Sequence, residues 1–337
     1  MKEKGKIVFN FLFFILLIFL TYYIIFRDYS IKTIISYLKD LNKIYLFIAF
    51  FLMNIYFLLE GLNLRYLLKT FNEKVSVIKS YIYTLICFFF SAITPASSGG
   101  QPMTIYCMSK DKIKISHASL SYLIQLFGYN ISAFTLGIIF AIARNDLFKD
   151  NLLFFFIIGS IFNLIPITIT SIGIFSKKLL NKVINIFIKI ISILKIKNID
   201  NIKQKINDEL KIFNDSSNYI KHHKIDFIKS IILSFIQVII YYSIPFFIFK
   251  SFNLSGYSIL FFIELQAILH NSVASIPLPG SVGITETIFL IIYSYVYSSN
   301  ALQSSLIVNR IITFYSFVLI SLIIYIINKI RYERKQS

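Results

Sequence analysis

Long apolar runs decide what this chain can fold into. Six of them, at 7–26, 44–62, 116–143, 152–175, 227–249 and 305–328, approach or exceed the roughly 20 residues an α-helix needs to cross a bilayer. The composition agrees: 57% of the residues are hydrophobic, 36 are Phe and 22 are Tyr, and only 15% are charged, where a soluble domain carries about 25% charge. The expected fold is an all-α polytopic membrane protein. A formal net charge of +18 would also fit a nucleic-acid binder. Here, however, the basic residues sit between the apolar runs, as membrane topology and anionic headgroups require, and no nucleic-acid partner is expected. The run at 7–26 follows a short basic stretch but is too long for the core of a signal peptide and lacks a cleavage site, so it reads as a retained span. Cys87 and Cys107 have neither disulfide-framework nor metal-ligand spacing.

Two further apolar regions, 77–109 and 257–297, are interrupted. The first carries Thr94-Pro95-Ala96-Ser97-Ser98-Gly99-Gly100-Gln101-Pro102, the second Pro277-Leu278-Pro279-Gly280-Ser281-Val282-Gly283-Ile284-Thr285-Glu286. Broken backbone at membrane depth is tolerated only where protein buries it or where it lines a wet cavity. Two such breaks in corresponding parts of a chain point to a transport site.

Charge decides whether each broken region crosses or turns back, because cytoplasmic loops collect Lys and Arg. With the N-terminus inside and both regions re-entrant, 25 of the 34 Lys and Arg fall in cytoplasmic segments and seven in outer ones. A crossing at the first break would move Lys110, Lys112, Lys114 and the basic middle segment outside, and the bias would largely vanish. The expectation is six spanning helices plus two re-entrant hairpins entering from opposite faces, with both termini cytoplasmic and an inverted pseudo-repeat resting only on the Pro/Gly punctuation. The whole of 1–337 reads as one membrane domain. Its longest hydrophilic segment, 176–226, suits a basic amphipathic helix on an anionic leaflet. The adjacent His222 and His223 point about 100° apart on a helix and have no ligand-spaced partner, so no metal or cofactor is expected.

At the first break, Pro95 ends one half-helix, Gly99 and Gly100 permit positive φ and close approach, and Pro102 suits the first turn of the returning half-helix. Helix N–H groups, Ser97, Ser98 and a positive dipole end would then cradle an anion such as lipid phosphate. The alternative is a turn capped by its own serines. At the second break Glu286 stands three residues after Gly283, a capping-box spacing. An intramembrane carboxylate is expensive, and Glu286 has four open roles: holding a cationic headgroup, pairing with an arginine such as Arg310, carrying a proton, or capping its own half-helix. Glu60 and Glu264 are further acidic residues in apolar sequence, and Arg310 has two open readings, reaching the outer interface or pairing with Glu286 or Glu264, between which spacing does not decide. Tyr122, Gln125, Tyr129 and Ser132 form a polar stripe that suits a cavity wall, and Gln266 and His270 share a face. His270 reads as interhelical hydrogen-bond glue.

No catalytic residue is expected. The chain has no G-x-S-x-G, H-E-x-x-H or P-loop motif, and Ser97 or Ser98 as a nucleophile would need a base, for which the only local candidate, His117, lies at the predicted cytoplasmic boundary.

At these residues the chain resembles the membrane region of the lysylphosphatidylglycerol synthase/flippase family, the multiple peptide resistance factor group. The resemblance rests on Thr94-Pro95 through Gly99-Gly100-Gln101-Pro102, on Pro277-x-Pro279-Gly280-x-x-Gly283-x-x-Glu286, on Arg65 among leucines and on Arg310 before Thr313-Phe314, and it covers almost the entire chain. Gly280-Ser281 replaces the glycine pair of many relatives. The resemblance implies a flippase of a bacterial cytoplasmic membrane, moving an anionic or aminoacylated phospholipid and protecting against cationic peptides. Longer members carry a soluble domain that transfers an aminoacyl group from tRNA to phosphatidylglycerol, and no counterpart of it is expected here. The substrate-site expectation therefore comprises Thr94, Pro95, Ser97, Ser98, Gly99, Gly100, Gln101, Pro277, Pro279, Gly280, Gly283, Glu286, Arg65, Arg310 and Gln125. Two alternatives from other classes are a lipid-modifying enzyme, such as a phosphatidylglycerol lysyltransferase, and a membrane partner of a separate synthase.

Overall fold

The computed structural model describes residues 39–94, 97–148, 152–176, 224–273 and 283–334, with isolated positions between 178 and 218. The expected span at 7–26, most of the basic segment 176–226, His222, His223, Pro95, Pro277, Pro279 and Gly280 lie outside the described residues.

Among the described residues the chain is helical throughout, in the order α1 (Lys43–Thr70), α2 (Val77–Ala92), α3 (Gly100–Lys110), α4 (Ile115–Ala143), α5 (Leu152–Phe175), α6 (Lys224–Ser251), α7 (Ile259–Val273), α8 (Ile284–Tyr293), α9 (Ser299–Arg310), a π-helical turn (Ile311–Tyr315) and α10 (Ser316–Arg334). Five helices are long and apolar enough to cross a membrane: α1, α4, α5, α6 and the continuous rod Ala301–Arg334. They coincide with five of the six expected spans. Local sequence sets their starts. The Asn42 side chain accepts from the Ile44 N–H at 3.0 Å, and the Ser76 hydroxyl oxygen accepts from the Lys79 N–H at 3.2 Å, each satisfying an orphan N–H of a first turn.

The outward faces are those of a lipid-solvated bundle. Ile157, Ile161, Leu164, Ile165 and Ile169 form an exposed stripe on α5, and Ile225, Ile228, Ile232, Ile236 and Ile239 form one on α6. Lipid tails are as apolar as these side chains, so helix association must come from close packing and hydrogen bonds. Gly159 shows the first: a Cβ there would lie 2.3 Å from the Asn271 carbonyl oxygen, so α5 and α7 touch backbone to backbone. The second lies at the same crossing, where Asn163 Nδ2 donates to Asn271 O at 2.9 Å and to Asn271 Oδ1 at 2.8 Å.

The described chain reverses at both breaks. Helices α2 and α3 form a hairpin whose open end is tied by Asp111, which pairs with Lys79 and accepts from the Tyr83 and Tyr332 hydroxyls at 2.6 and 2.5 Å. Helices α7 and α8 also return to where they began, since Tyr257 OH donates to Tyr295 O at 2.9 Å. The two open ends lie at opposite ends of the bundle. The first sits where α1 finishes, beside the Arg65 Nε to Val75 O bond of 2.8 Å and the Tyr66–Asp226 contact. The second sits where α1 starts and α6 finishes, marked by Asn42 N donating to Ser251 O at 2.8 Å and by Phe249 stacking edge-on with Tyr297.

Asp111 is the polar tie of the first hairpin. Burial alone would raise its pKa, but hydrogen bonds from Lys79, Tyr332 and Tyr83 outweigh burial and hold it below the ordinary aspartate value. The ionised group therefore contributes stability above its unfolded pKa of about 3.9, and that share is lost as pH falls through the lower folded value. Asp111→Asn should cost about 1–3 kcal/mol at neutral pH. The difference in thermal midpoint between native and D111N protein in detergent should shrink as pH is lowered from about 5 to about 3.

Candidate functional site

The first break is built by its own side chains. Helix α2 ends at Ala92, and Thr94 Oγ1 both donates to Phe90 O at 2.6 Å and accepts from Gly99 N–H at 2.9 Å. The expected role of the glycines needs correction. Gly99 has φ −87° and Gly100 is the first helical residue of α3, so neither uses the left-handed region. Ser97 takes it instead, at φ +54°. The glycines are required for space: a Cβ on Gly100 would stand 2.1 Å from Ser91 Oγ and 2.6 Å from Cys87 O. Helix α3 thus starts pressed against α2, with Pro102 in its first turn.

Beside this tip lies a cavity of about 230 Å³, lined by residues of five helices and the tip itself. Ser97 and Gln101 come from the hairpin, Tyr122, Gln125 and Tyr129 from α4, Tyr56 and Glu60 from α1, Cys87 and Phe88 from α2, and Gln237 from α6. At roughly 30 Å³ per water molecule, it holds about seven waters or a small polar headgroup. Three of the expected site residues, Ser97, Gln101 and Gln125, meet here, as does most of the expected polar stripe. Ser132 does not; its hydroxyl donates to Gly128 O within α4. Gln125 Nε2 donates to the Glu60 backbone carbonyl at 2.6 Å, leaving its own Oε1 buried without a hydrogen-bond partner. The Glu60 carboxylate receives one long bond, from Gln237 Nε2 at 3.5 Å, and forms no ion pair with any described residue. Tyr56 and Gln237 are cavity residues that sequence reasoning missed. Helical spacing could have found both: Tyr56 stands four residues before Glu60, and Gln237 continues a polar stripe of Ser230 and Ser234 at i, i+4 and i+7.

Glu286 and Arg310 form a second centre. Glu286 is fully buried; its Oε2 accepts from Gly283 N–H at 2.6 Å, and its Oε1 accepts from Arg310 Nε at 2.7 Å. Two of its four open roles, cap and arginine partner, are thus filled at once. Gly283 enters α8 at φ +93°, a conformation that glycine adopts without strain. Of the two open readings of Arg310, the one that takes it to the outer interface is overturned: Arg310 is 7% exposed, ends α9 deep in the rod, and stacks over Phe314 at 5.4 Å. The misplacement arose from starting the span at 305, when the helix begins at Ser299 and buries the polar residues Gln303, Ser304 and Ser305. The π turn following Arg310 is of the kind that recurs at functional sites. Glu264 pairs elsewhere, with Arg144 at 3.8 Å. Arg65 is not in either centre; its Nε holds the loop carbonyl of Val75.

His270 joins α4, α6 and α7, as the glue reading expects. Its Nε2 lies 3.3 Å from Tyr129 OH and its Nδ1 3.1 Å from Tyr242 OH. Gln266 accepts from Tyr293 OH at 2.8 Å, tying α7 to α8. His117 sits at the closed base of the first hairpin with Glu73, 2.7 Å away, and far in sequence from the tip serines.

Helices of spanning length, two hairpins that return to opposite ends, and a polar cavity at one tip define an all-α, multi-pass membrane protein with broken helices inside it. The family model described as lysylphosphatidylglycerol synthase TM region matches residues 7–321, and the chain belongs to that family. A comparison with curated proteins returns no match.

Two predictions follow from the geometry. Glu286→Gln leaves Arg310 buried without its counter-charge and should cost about 3–5 kcal/mol in unfolding free energy, whereas E286Q/R310M should recover much of the loss; detergent unfolding curves of the three variants measure this. Ser97→Cys, in a chain whose Cys87 and Cys107 are replaced by alanine, should react readily with small hydrophilic thiol reagents. An inert S97C would show that the cavity beside the tip is dry.

Proposed function

We propose that the chain is a phospholipid flippase of a bacterial cytoplasmic membrane, moving the headgroup of an anionic or aminoacylated lipid past the tips of two opposed hairpins. The single observation that carries this reading is the polar cavity at the first tip, inside a bundle whose outer faces are apolar. Opposed broken helices with a site between them are a recurring solution to alternating access. A lipid headgroup needs a wet, polar passage, while its acyl chains stay in the membrane beside the apolar stripes of α5 and α6. The family's description names lysylphosphatidylglycerol, which supports that lipid as the proposed cargo.

Orientation follows from charge. The end of the bundle that holds the first hairpin's base also carries Arg65, Lys69, Lys79, Lys110, Lys112, Lys114, Lys224, Arg331 and Arg334. By the positive-inside rule this end is cytoplasmic, and the orientation expected from the sequence has both termini on that side. A separately encoded synthase would then meet the same face, delivering aminoacylated lipid to the cytoplasmic leaflet for export. Outward movement of that lipid lowers the negative charge presented to cationic peptides.

The test is lipid sidedness in proteoliposomes. Vesicles containing the native chain should move lysylphosphatidylglycerol or phosphatidylglycerol between leaflets faster than empty vesicles, read by a membrane-impermeant amine reagent for the lysyl lipid and by a headgroup-specific enzymatic assay for the other. Unchanged sidedness for both lipids overturns the proposal.

A further inference from the structure

The cavity contains an acidic group with no cation to balance it. Glu60 lies on α1, ten residues before the helix ends at Thr70, and no Lys, Arg or His among the described residues is within ion-pair distance of its carboxylate. Every other titratable group that faces the cavity is neutral at physiological pH by its ordinary pKa: Tyr56 on α1, Cys87 on α2, and Tyr122 and Tyr129 on α4. The hairpin tip offers Ser97 and Gln101, α6 offers Gln237, and neither the π turn nor α10 contributes a lining residue. An isolated ionised carboxylate in such a place is expensive, and the usual escape is to take up a proton or a partner cation.

The remaining polar atoms point to which cation fits. Gln125 is 4% exposed, and its buried Oε1 accepts from nothing while its amide nitrogen is spent on the Glu60 carbonyl. An idle acceptor on a residue that lines the same cavity as a carboxylate is matched by a group that only donates, and an ammonium has three donors and no acceptor. The rings of Tyr56, Phe57, Phe88, Tyr122 and Tyr129 supply the aromatic surround that favours a desolvated cation.

We propose that Glu60 is a proton-for-ammonium exchange site. This rests on the flippase reading and deepens it by assigning the coupling and the charged part of the cargo. With the cavity empty, Glu60 is a neutral carboxylic acid. When the ammonium of an aminoacyl headgroup enters, it keeps its own three hydrogens and pairs with the carboxylate; the Glu60 proton leaves to cavity water. One positive charge enters and one leaves, so the cavity never holds an unbalanced charge. Transport of an ammonium-bearing headgroup is thereby exchanged against a proton, while a headgroup without an ammonium gains nothing from Glu60.

The experiment uses the full chain in detergent and in vesicles. Titration calorimetry with lysylphosphatidylglycerol, in two buffers of different ionisation enthalpy at neutral pH, should show close to one proton released per lipid bound. Phosphatidylglycerol should release none, and Glu60→Gln should bind the lysyl lipid with no proton release. Infrared difference spectra of the empty protein should contain the carbonyl stretch of a protonated carboxylic acid that lysylphosphatidylglycerol removes and that E60Q lacks. E60Q should still fold, because glutamine keeps the shape and the bond to Gln237; an unchanged thermal midpoint checks this. Proton release that is equal in native and E60Q protein, or an infrared band that survives in E60Q, overturns the exchange site. If the native chain translocates both lipids at pH-independent rates unaltered in E60Q, the exchange fails while the flippase reading stands; if it translocates neither, both fail.

Discussion

Everything in this fold depends on satisfying the backbone where helices break inside an apolar medium. Each interruption frees several N–H and C=O groups, and no water in the hydrocarbon can take them. The chain answers by folding each break back on itself and tying it with side chains. At the first tip Thr94 bridges Phe90 and Gly99, and at the second Glu286 holds the Gly283 N–H. The Asp111 tie and the Tyr257–Tyr295 bond then close the hairpins at their open ends. With the first hairpin tied at its open end, Ser97 and Gln101 at its tip are brought to the wall of the cavity.

The two centres differ in what they do with charge. At Glu286 the charge is matched within the protein by Arg310 and by a backbone donor, which makes that site part of the frame. At Glu60 no described residue supplies a counter-charge, which leaves the site open to a partner from outside. A frame balanced within itself, beside a cavity with no counter-charge among the described residues, lets cargo or proton alone decide the charge state of the passage.

Much of the architecture was legible because apolar length and Pro/Gly punctuation are direct physical signals. Five spans, both reversals and the Gly283–Glu286 cap follow from run length and a three-residue spacing. Ser97, Gln101 and Gln125, which line the cavity, stood out because each is polar in a place where polarity is costly. Other features depend on contacts between distant elements. The pairing of Arg310 with Glu286 spans 24 residues and relies on a helix that starts earlier than its apolar composition indicates. Of the two roles expected of Gly99 and Gly100, close approach is the one the structure uses, at the contact of α3 with α2, while the left-handed residue at the first tip is Ser97. Gln237 and Tyr56 were legible too, from the helical spacing of Ser230, Ser234 and Gln237 and of Tyr56 and Glu60, but that spacing went unread. Glu60 stood out as an intramembrane acid, but its lack of a counter-charge is a property of five helices together.

The central claim is that a lipid headgroup occupies the cavity between the first hairpin tip and Glu60. An electron cryomicroscopy structure of the full chain in nanodiscs containing lysylphosphatidylglycerol tests it most directly. The account predicts headgroup density bounded by Ser97, Gln101, Gln125 and Glu60, with an amino group beside the carboxylate and acyl chains leaving toward the membrane. A cavity empty of headgroup density at saturating lipid, with lipids ordered only around the apolar perimeter, would contradict it.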